Sequence, residues 1–388
     1  MDRMTAGVVA VPLASLPLNA KALLEDYPEV AAWLSKNGLS LTLTNKTLNR
    51  AKRWEERERP ILLMGITWSV CRFSRVSHAL WAATDNSTVL IEEGSYSEDL
   101  DSAFSSAVRI IANNVTLLAQ GQVVLQGSGG DQWLVVAAPL FTIDGSLTLV
   151  DRGISISEGS TLVQKGSLHI SVTAALRSGI KVDAGATWIQ EGSVTITSGS
   201  LAEAQISLSN GIHLESTGEW HQYGELTLFS HGSDLSTEEH ARRVFNAGVL
   251  AYGLWNQTGP ATLTVVGEID RRPGHHKGVF GEGVRLVGQA TWNQWGPLSI
   301  SAINASTVVY VSYNSLWLQY DSAVMTLDSP IGVLTSSASG TSQWVQNGAL
   351  DITLSGSKAI GTSLALAAET YPLPPQAPHV PHHRALSV

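Results

Sequence analysis

A single cysteine, Cys71, in 388 residues excludes an internal disulfide framework and any multi-cysteine zinc site. Charge is scarce too. Only 15% of the residues are Asp, Glu, Lys or Arg, against ~25% in an ordinary globular chain, which argues against a disordered or nucleic-acid-coating protein. The balance is acidic, net −9, so no nucleic-acid partner is expected. No apolar run reaches ~18 residues, so no membrane span is expected. The apolar run from Ala6 to Leu18 is broken by Pro12 and Pro17 with no small-residue cleavage site after it, and the sequence predicts no signal peptide. The sequons at Asn86, Asn114, Asn256 and Asn304 then carry no weight, and Asn114 is expected inside a buried strand.

What the chain has in quantity is glycine, 35 residues, and tryptophan, 12, within a composition that is 44% hydrophobic. That is enough to bury a large core. The first 60 residues read as a helical head or arm, with nine Lys/Arg against seven Asp/Glu, a net +2 that leaves −11 on the rest. Asn19 caps an expected helix over Ala20–Asp26, Pro28 starts a second one reaching Lys36, and Thr44 or Asn45 caps a third over Leu48–Arg57 that ends at Pro60. From about residue 61 to 370, short runs of Val, Ile, Leu and Thr separated by Gly, Ser, Asn and Asp are strand-and-turn grammar. Residues 371–388 form a Pro- and His-rich tail.

The body repeats itself, and the repeat decides the fold. Its unit is an aromatic or aliphatic residue, one variable residue, a glutamine, usually a glycine two further on, and then an alternating strand. The first copy is Leu162-Val163-Gln164-Lys165-Gly166. The next six place Trp188, Trp220, Trp255, Trp292, Trp317 and Trp344 ahead of Gln190, Gln222, Gln257, Gln294, Gln319 and Gln346. Successive glutamines are 26, 32, 35, 37, 25 and 27 residues apart. Each copy holds about three strands too short to bury a face alone, for example around Gly179–Val182, Thr187–Gln190 and Ser193–Thr197. Stacked coil on coil they build a parallel β-solenoid, and the longer intervals are turn insertions. A 25-residue interval leaves no room for the four antiparallel strands of a propeller blade. The expected fold is all-β: a right-handed parallel β-helix behind a short N-terminal helical head. The tryptophan column is expected to stack as an aromatic ladder in preference to a sugar-binding platform, the glutamines to form an amide ladder along the axis, and the glycines to supply positive φ at turns.

Catalytic chemistry is not expected. Glycosidic cleavage needs two carboxylates ~5–9.5 Å apart, and among Asp183, Glu191, Glu215, Glu219 and Glu225 the pair Glu191 and Glu225 stand at different offsets from their glutamines. No cofactor or metal site is expected: the adjacent His275-His276 read as a solvated loop, and Gly127-Ser128-Gly129-Gly130 lacks the Lys-Ser/Thr of a phosphate loop. The departures from the repeat, residues 231–246 and 267–283, are the candidate partner surface. The first carries Arg242 and Arg243 in an expected short helix; the second carries Asp270, Arg271, Arg272, His275 and Lys277, basic within an acidic body.

The segment Thr88-Val89-Leu90-Ile91-Glu92-Glu93-Gly94-Ser95-Tyr96 resembles the first coil of pectin-lyase-like β-helix proteins, Val108–Leu117 their second and Val123–Gly127 their third. The wider layout resembles the hexon-interlacing capsid proteins of atadenoviruses, which are related to the large early-region transformation protein of other adenoviruses: a short helical head, a Trp/Gln-repeat β-helix, and no catalytic set. That resemblance implies a homotrimeric knob on the outer capsid surface, bridging and stabilising neighbouring copies of the major capsid protein, hexon, with other minor capsid proteins as further candidate partners. It also implies assembly in the host nucleus. The long acidic head and multiple cysteines of the transformation protein are missing here. The alternative is a tailspike-like or pectin-lyase-like protein that binds or cleaves carbohydrate.

Overall fold

The computed structural model describes residues 8–12, 71–73, 75–97, 108–126, 133–172, 176–198, 208–231, 247–266, 268–269, 279–280, 282–303, 307–328, 333–336 and 341–354. Every full coil contributes three strands, as in Leu176–Val182, Thr187–Gln190 and Val194–Ser198. Each strand pairs in parallel with its counterpart one coil on: Val182 with Leu214, Trp188 with Trp220, Ile196 with Leu228. The chain is an open parallel β-solenoid, and this parallel register is incompatible with propeller blades.

Alternation within each strand sends one set of side chains inward. The strand bearing the tryptophans is buried at its second and fourth residues, as in Thr187–Gln190 and Thr291–Gln294. The following strand buries a column running through Leu168, Val194, Leu226, Ala261, Leu298 and Ala323. A separate nine-stranded sheet lines the core with Ile154, Ile180, Ile212, Val249, Val284 and Val309. The first two stacks join through the long strands Val115–Gln126 and Phe141–Val150, which run round the corner between them. Val123–Gln126 therefore belongs to the second coil, paired with Gly94–Ser97, and the third coil begins at Leu134, the register partner of Val108. The expectation that it opened the third coil is corrected: a strand continuous through the corner leaves no turn residues to mark the step.

The first coil is covered. Val8–Pro12 pairs antiparallel with Ser87–Ile91 and with Cys71–Phe73, so within the described part of the first 60 residues the chain is a strand that occupies the open edge. The helix Val76–Trp81 buries Val76, Ala79 and Leu80 against the same end. The three helices expected between residues 20 and 57, and the tail 371–388, lie outside the described residues. Asn114, expected in a buried strand, is instead an exposed turn residue at φ 54° whose Nδ2 donates to Asn86 Oδ1 at 2.8 Å.

The repeat glycines do not supply positive φ, which corrects that expectation. A Cβ on Gly192 would lie 1.9 Å from Gly166 O, and one on Gly224 2.0 Å from Gly192 O. These glycines exist because successive backbones stack too closely for any side chain. Positive φ occurs at the corner before the tryptophan strand, at Gly159 and Gly185 and also at Thr217, Gln289 and Asn314.

Candidate functional site

Within the solenoid, six indoles form one stack. From Trp188 through Trp220, Trp255, Trp292 and Trp317 to Trp344, adjacent rings are 4.3–4.9 Å apart and within 9° of parallel. All but Trp344 are fully buried. Each adjacent pair adds about 0.5–1.5 kcal/mol beyond the burial of its rings. Val115, Phe141 and Leu162, all smaller than an indole, hold the same inward position before the first tryptophan.

The glutamines bond in a different way from an amide ladder. Each accepts from the tryptophan one coil on: Trp220 Nε1 donates to Gln190 Oε1, Trp255 to Gln222, Trp292 to Gln257, Trp317 to Gln294 and Trp344 to Gln319, all at 3.1–3.2 Å. The amide nitrogen then donates twice, once within its own coil and once to the next. Gln190 Nε2 reaches Gly192 O at 3.2 Å and Glu225 O at 2.9 Å; Gln319 Nε2 reaches Asp321 O at 3.2 Å and Ala349 O at 2.9 Å. A fully buried amide thereby has both donors and an acceptor occupied. The glutamine column starts one coil before the tryptophans, with Gln164 on the same strand as Leu162, but the indole bond starts one coil later. At that first step Trp188 Nε1 and Gln164 Oε1 are both without a hydrogen-bond partner, while Gln164 Nε2 donates to Gly166 O. Gln346, with no tryptophan after it among the described residues, is exposed. These interior bonds and stacks tie one coil to the next.

On the outside, the nine-stranded sheet gathers titratable groups that sequence reasoning left scattered. Lys181 Nζ lies 2.8 Å from Asp183 Oδ1 and 3.6 Å from Glu215 Oε1. His213 Nε2 is 3.5 Å from Glu215 Oε1, within ion-pair range but not aligned for a hydrogen bond. Burial, foremost, pushes the His213 imidazole below its ordinary range; the Lys181 charge adds to this, and Glu215 and Asp183 oppose it. Partial burial is also the largest single influence on Lys181 and pulls it down, but the hydrogen bonds and charges of Asp183 and Glu215 together raise it. Asp183 and Glu215 are register partners, each one residue past the pair Val182 and Leu214. Each stands five residues before a tryptophan, Trp188 or Trp220. Counting back from the tryptophans, instead of forward from the glutamines, would have found them. Lys181 lies between the two carboxylates, which makes the group an ion-pair network.

Another residue the sequence did not single out is Arg152, whose side chain is fully buried beside the third strand stack. Of the candidate partner contacts, Arg242, Arg243, Asp270, Arg271, Arg272, His275 and Lys277 all lie outside the described residues. Strands Glu268–Ile269 and Val279–Phe280, paired antiparallel, bracket the second set. The two longest insertions, residues 232–246 and 267–281, fall at this corner, between the second stack and the nine-stranded sheet; the corner before the tryptophan strand varies less, from two residues between Ala251 and Leu254 to six between Ser336 and Gln343. Among the described residues no group of three or more His, Cys, Asp or Glu is placed to hold a metal ion, and no helix is long and apolar enough to cross a membrane. Comparisons with protein-family models, with curated proteins and with solved structures returned no match, so the fold and its side chains carry the functional argument alone.

Proposed function

We propose that this chain is a non-enzymatic structural protein: a homotrimeric β-solenoid knob on the outer surface of a virus capsid that bridges and stabilises neighbouring copies of the major capsid protein, hexon. The observation that supports this reading is the interior, where indoles and glutamines are spent on stiffening one coil against the next. A prism braced in this way transmits load along its axis, as a capsid bridge must. The two longest insertions, whose sequences hold Arg242 and Arg243 and Asp270 to Lys277, both depart from the solenoid between the second stack and the nine-stranded sheet, and these are the proposed partner-binding loops. Trimerisation would bury lateral surface and add stability that depends on concentration. Other minor capsid proteins are candidate neighbours in the particle, with assembly in the host nucleus.

Light scattering on the purified protein tests this first. A mass near three times 41.3 kDa, together with co-sedimentation of the protein with purified capsids, supports the reading. A monomer that ignores capsids ends it. The carbohydrate-cleaving alternative has one observation in its favour, the register-matched Asp183 and Glu215, and release of reducing or unsaturated ends from a polysaccharide panel would establish it.

A further inference from the structure

The residue after each repeat glutamine lies on the outer side of the corner. Its backbone N–H donates to the preceding coil's glutamine carbonyl: Tyr223 to Gln190 at 2.8 Å, Thr258 to Gln222 at 2.7 Å, Trp295 to Gln257 at 2.7 Å and Tyr320 to Gln294 at 2.9 Å. These four side chains therefore form one column along the axis. Trp295 and Tyr320 lie face to face, centroids 3.8 Å apart and 9° from parallel. The other face of Trp295 is turned toward Thr258 and, one coil beyond, Tyr223, which is 44% exposed. Neighbouring strands are ~4.8 Å apart, so Tyr223 and Trp295 stand ~9.6 Å apart across a threonine too short to fill the gap.

Beside this gap, two residues back along the same strands, runs a chain of polar groups. Asn293 Nδ2 donates to Asn256 Oδ1 at 2.7 Å, Asn256 Nδ2 lies 3.2 Å from His221 Nδ1, and His221 Nε2 lies 3.1 Å from Glu219 Oε2. With Nδ1 accepting from Asn256, the imidazole proton sits on Nε2 and faces the carboxylate. Beyond the bonds of this polar chain, Asn256 keeps one N–H and one lone pair, and Asn293 one N–H and both lone pairs of its Oδ1. The wall thus offers a donor and an acceptor in successive coils, the pattern that two neighbouring hydroxyls of a sugar require.

We propose that Tyr223, Thr258 and Trp295 form a slot that takes a pyranose ring, its C–H faces against the two aromatic walls and its hydroxyls on Asn256 and Asn293. Carbon contacts of ~3.5–4.0 Å on each side leave ~2 Å of the gap for the ring itself. A planar base leaves all of that space empty, whereas a saturated six-membered ring fills it with its pucker and its axial hydrogens. The slot opens to solvent on its outer side, so binding is weak for one sugar and grows when the protein is presented in several copies. This goes beyond the structural role and does not depend on it: a capsid knob with a glycan slot, and a glycan-binding solenoid outside any capsid, share the same slot.

The test is saturation-transfer NMR on the full chain with a panel of methyl pyranosides (gluco, galacto, manno and N-acetylglucosamine forms) at millimolar concentration, with adenosine as the planar control. Transfer to the ring C–H protons of at least one pyranoside is expected. It should fall roughly tenfold in Thr258→Trp, which fills the gap from the outside, and in Trp295→Ala, which removes a wall. Tyr223→Ser serves in place of any variant whose far-UV spectrum departs from the parent. No transfer to any pyranoside, equal transfer to adenosine, or transfer that survives the filled slot would each overturn the proposal.

Discussion

Trp255 Nε1 donates to Gln222 Oε1, one coil earlier, at 3.1 Å, and the same glutamine's Nε2 donates onward to Pro260 O at 3.0 Å. One buried amide thus ties two coils together through a side chain and a backbone carbonyl. Gln222→Leu keeps most of the volume but strands the Trp255 indole N–H and takes a donor from Gly224 O, while Pro260 O keeps its bond from the Leu226 N–H. Each unsatisfied buried group costs about 1–3 kcal/mol, so a loss of roughly 2 kcal/mol or more is expected in denaturant titration. Trp255→Phe should cost less, and the double variant should cost clearly less than the two single losses added. Simple additivity would show that the bond is incidental.

Stacked indoles should be visible directly. Rings 4.3–4.9 Å apart and nearly parallel couple their transitions, so the far-UV circular dichroism should contain an exciton couplet. Trp255→Leu removes two ring contacts and splits the stack, whereas Trp188→Leu removes one from its end. The couplet should therefore shrink more in the first variant. Equal shrinkage would contradict a continuous stack in solution.

Two glycine-to-alanine variants separate the two reasons for glycine. Gly192→Ala places a methyl 1.9 Å from Gly166 O, a backbone atom held by the sheet, and should cost about 3 kcal/mol or more, or prevent soluble expression. Gly159, at φ +71° with open space around its missing Cβ, should cost only about 1–2 kcal/mol. Comparable melting temperatures for the two would refute the close-stacking argument.

The Lys181, Asp183, His213 and Glu215 group makes stability depend on pH at both ends. His213 has its folded value depressed by burial, so the unfolded chain binds the extra proton more readily. Its contribution is complete above about 6.5 and fades as pH falls through the lower folded value. Lys181 is raised by its two carboxylates, against the pull of burial. Its contribution is complete below the ordinary lysine value and is lost as pH climbs through the raised one. Melting temperature should therefore decline from about pH 7 to pH 5, and His213→Gln should flatten that slope. An unchanged slope in the variant would assign the decline to other groups.

Much of this molecule could be read from its residues, because a solenoid writes its columns into the sequence as a repeat. The indole spacing, the three short strands of each coil and the early start of the glutamines at Gln164 all follow from alternation and stacking. The outer ion-pair group was legible too, at equal offsets before Trp188 and Trp220, but only to a count run backward within one coil. Counting forward from a glutamine into the next coil crosses the corner that holds the longest insertions, and the register is lost there.

Spacing, then, determined which residues share a column, since every in-register parallel strand places equivalent positions one above another. It did not determine where their polar atoms turn. The glutamine amides could equally have bonded to one another, and only the tertiary structure directs them to the next coil's indole and to two carbonyls. The repeat glycines could have served turns, and only the closeness of stacked backbones shows that they admit no Cβ. The gap between Tyr223 and Trp295 exists because residues 72 apart in sequence stand two coils apart in space, with a small side chain between. Periodicity assigns the neighbours, and packing decides what they do to each other.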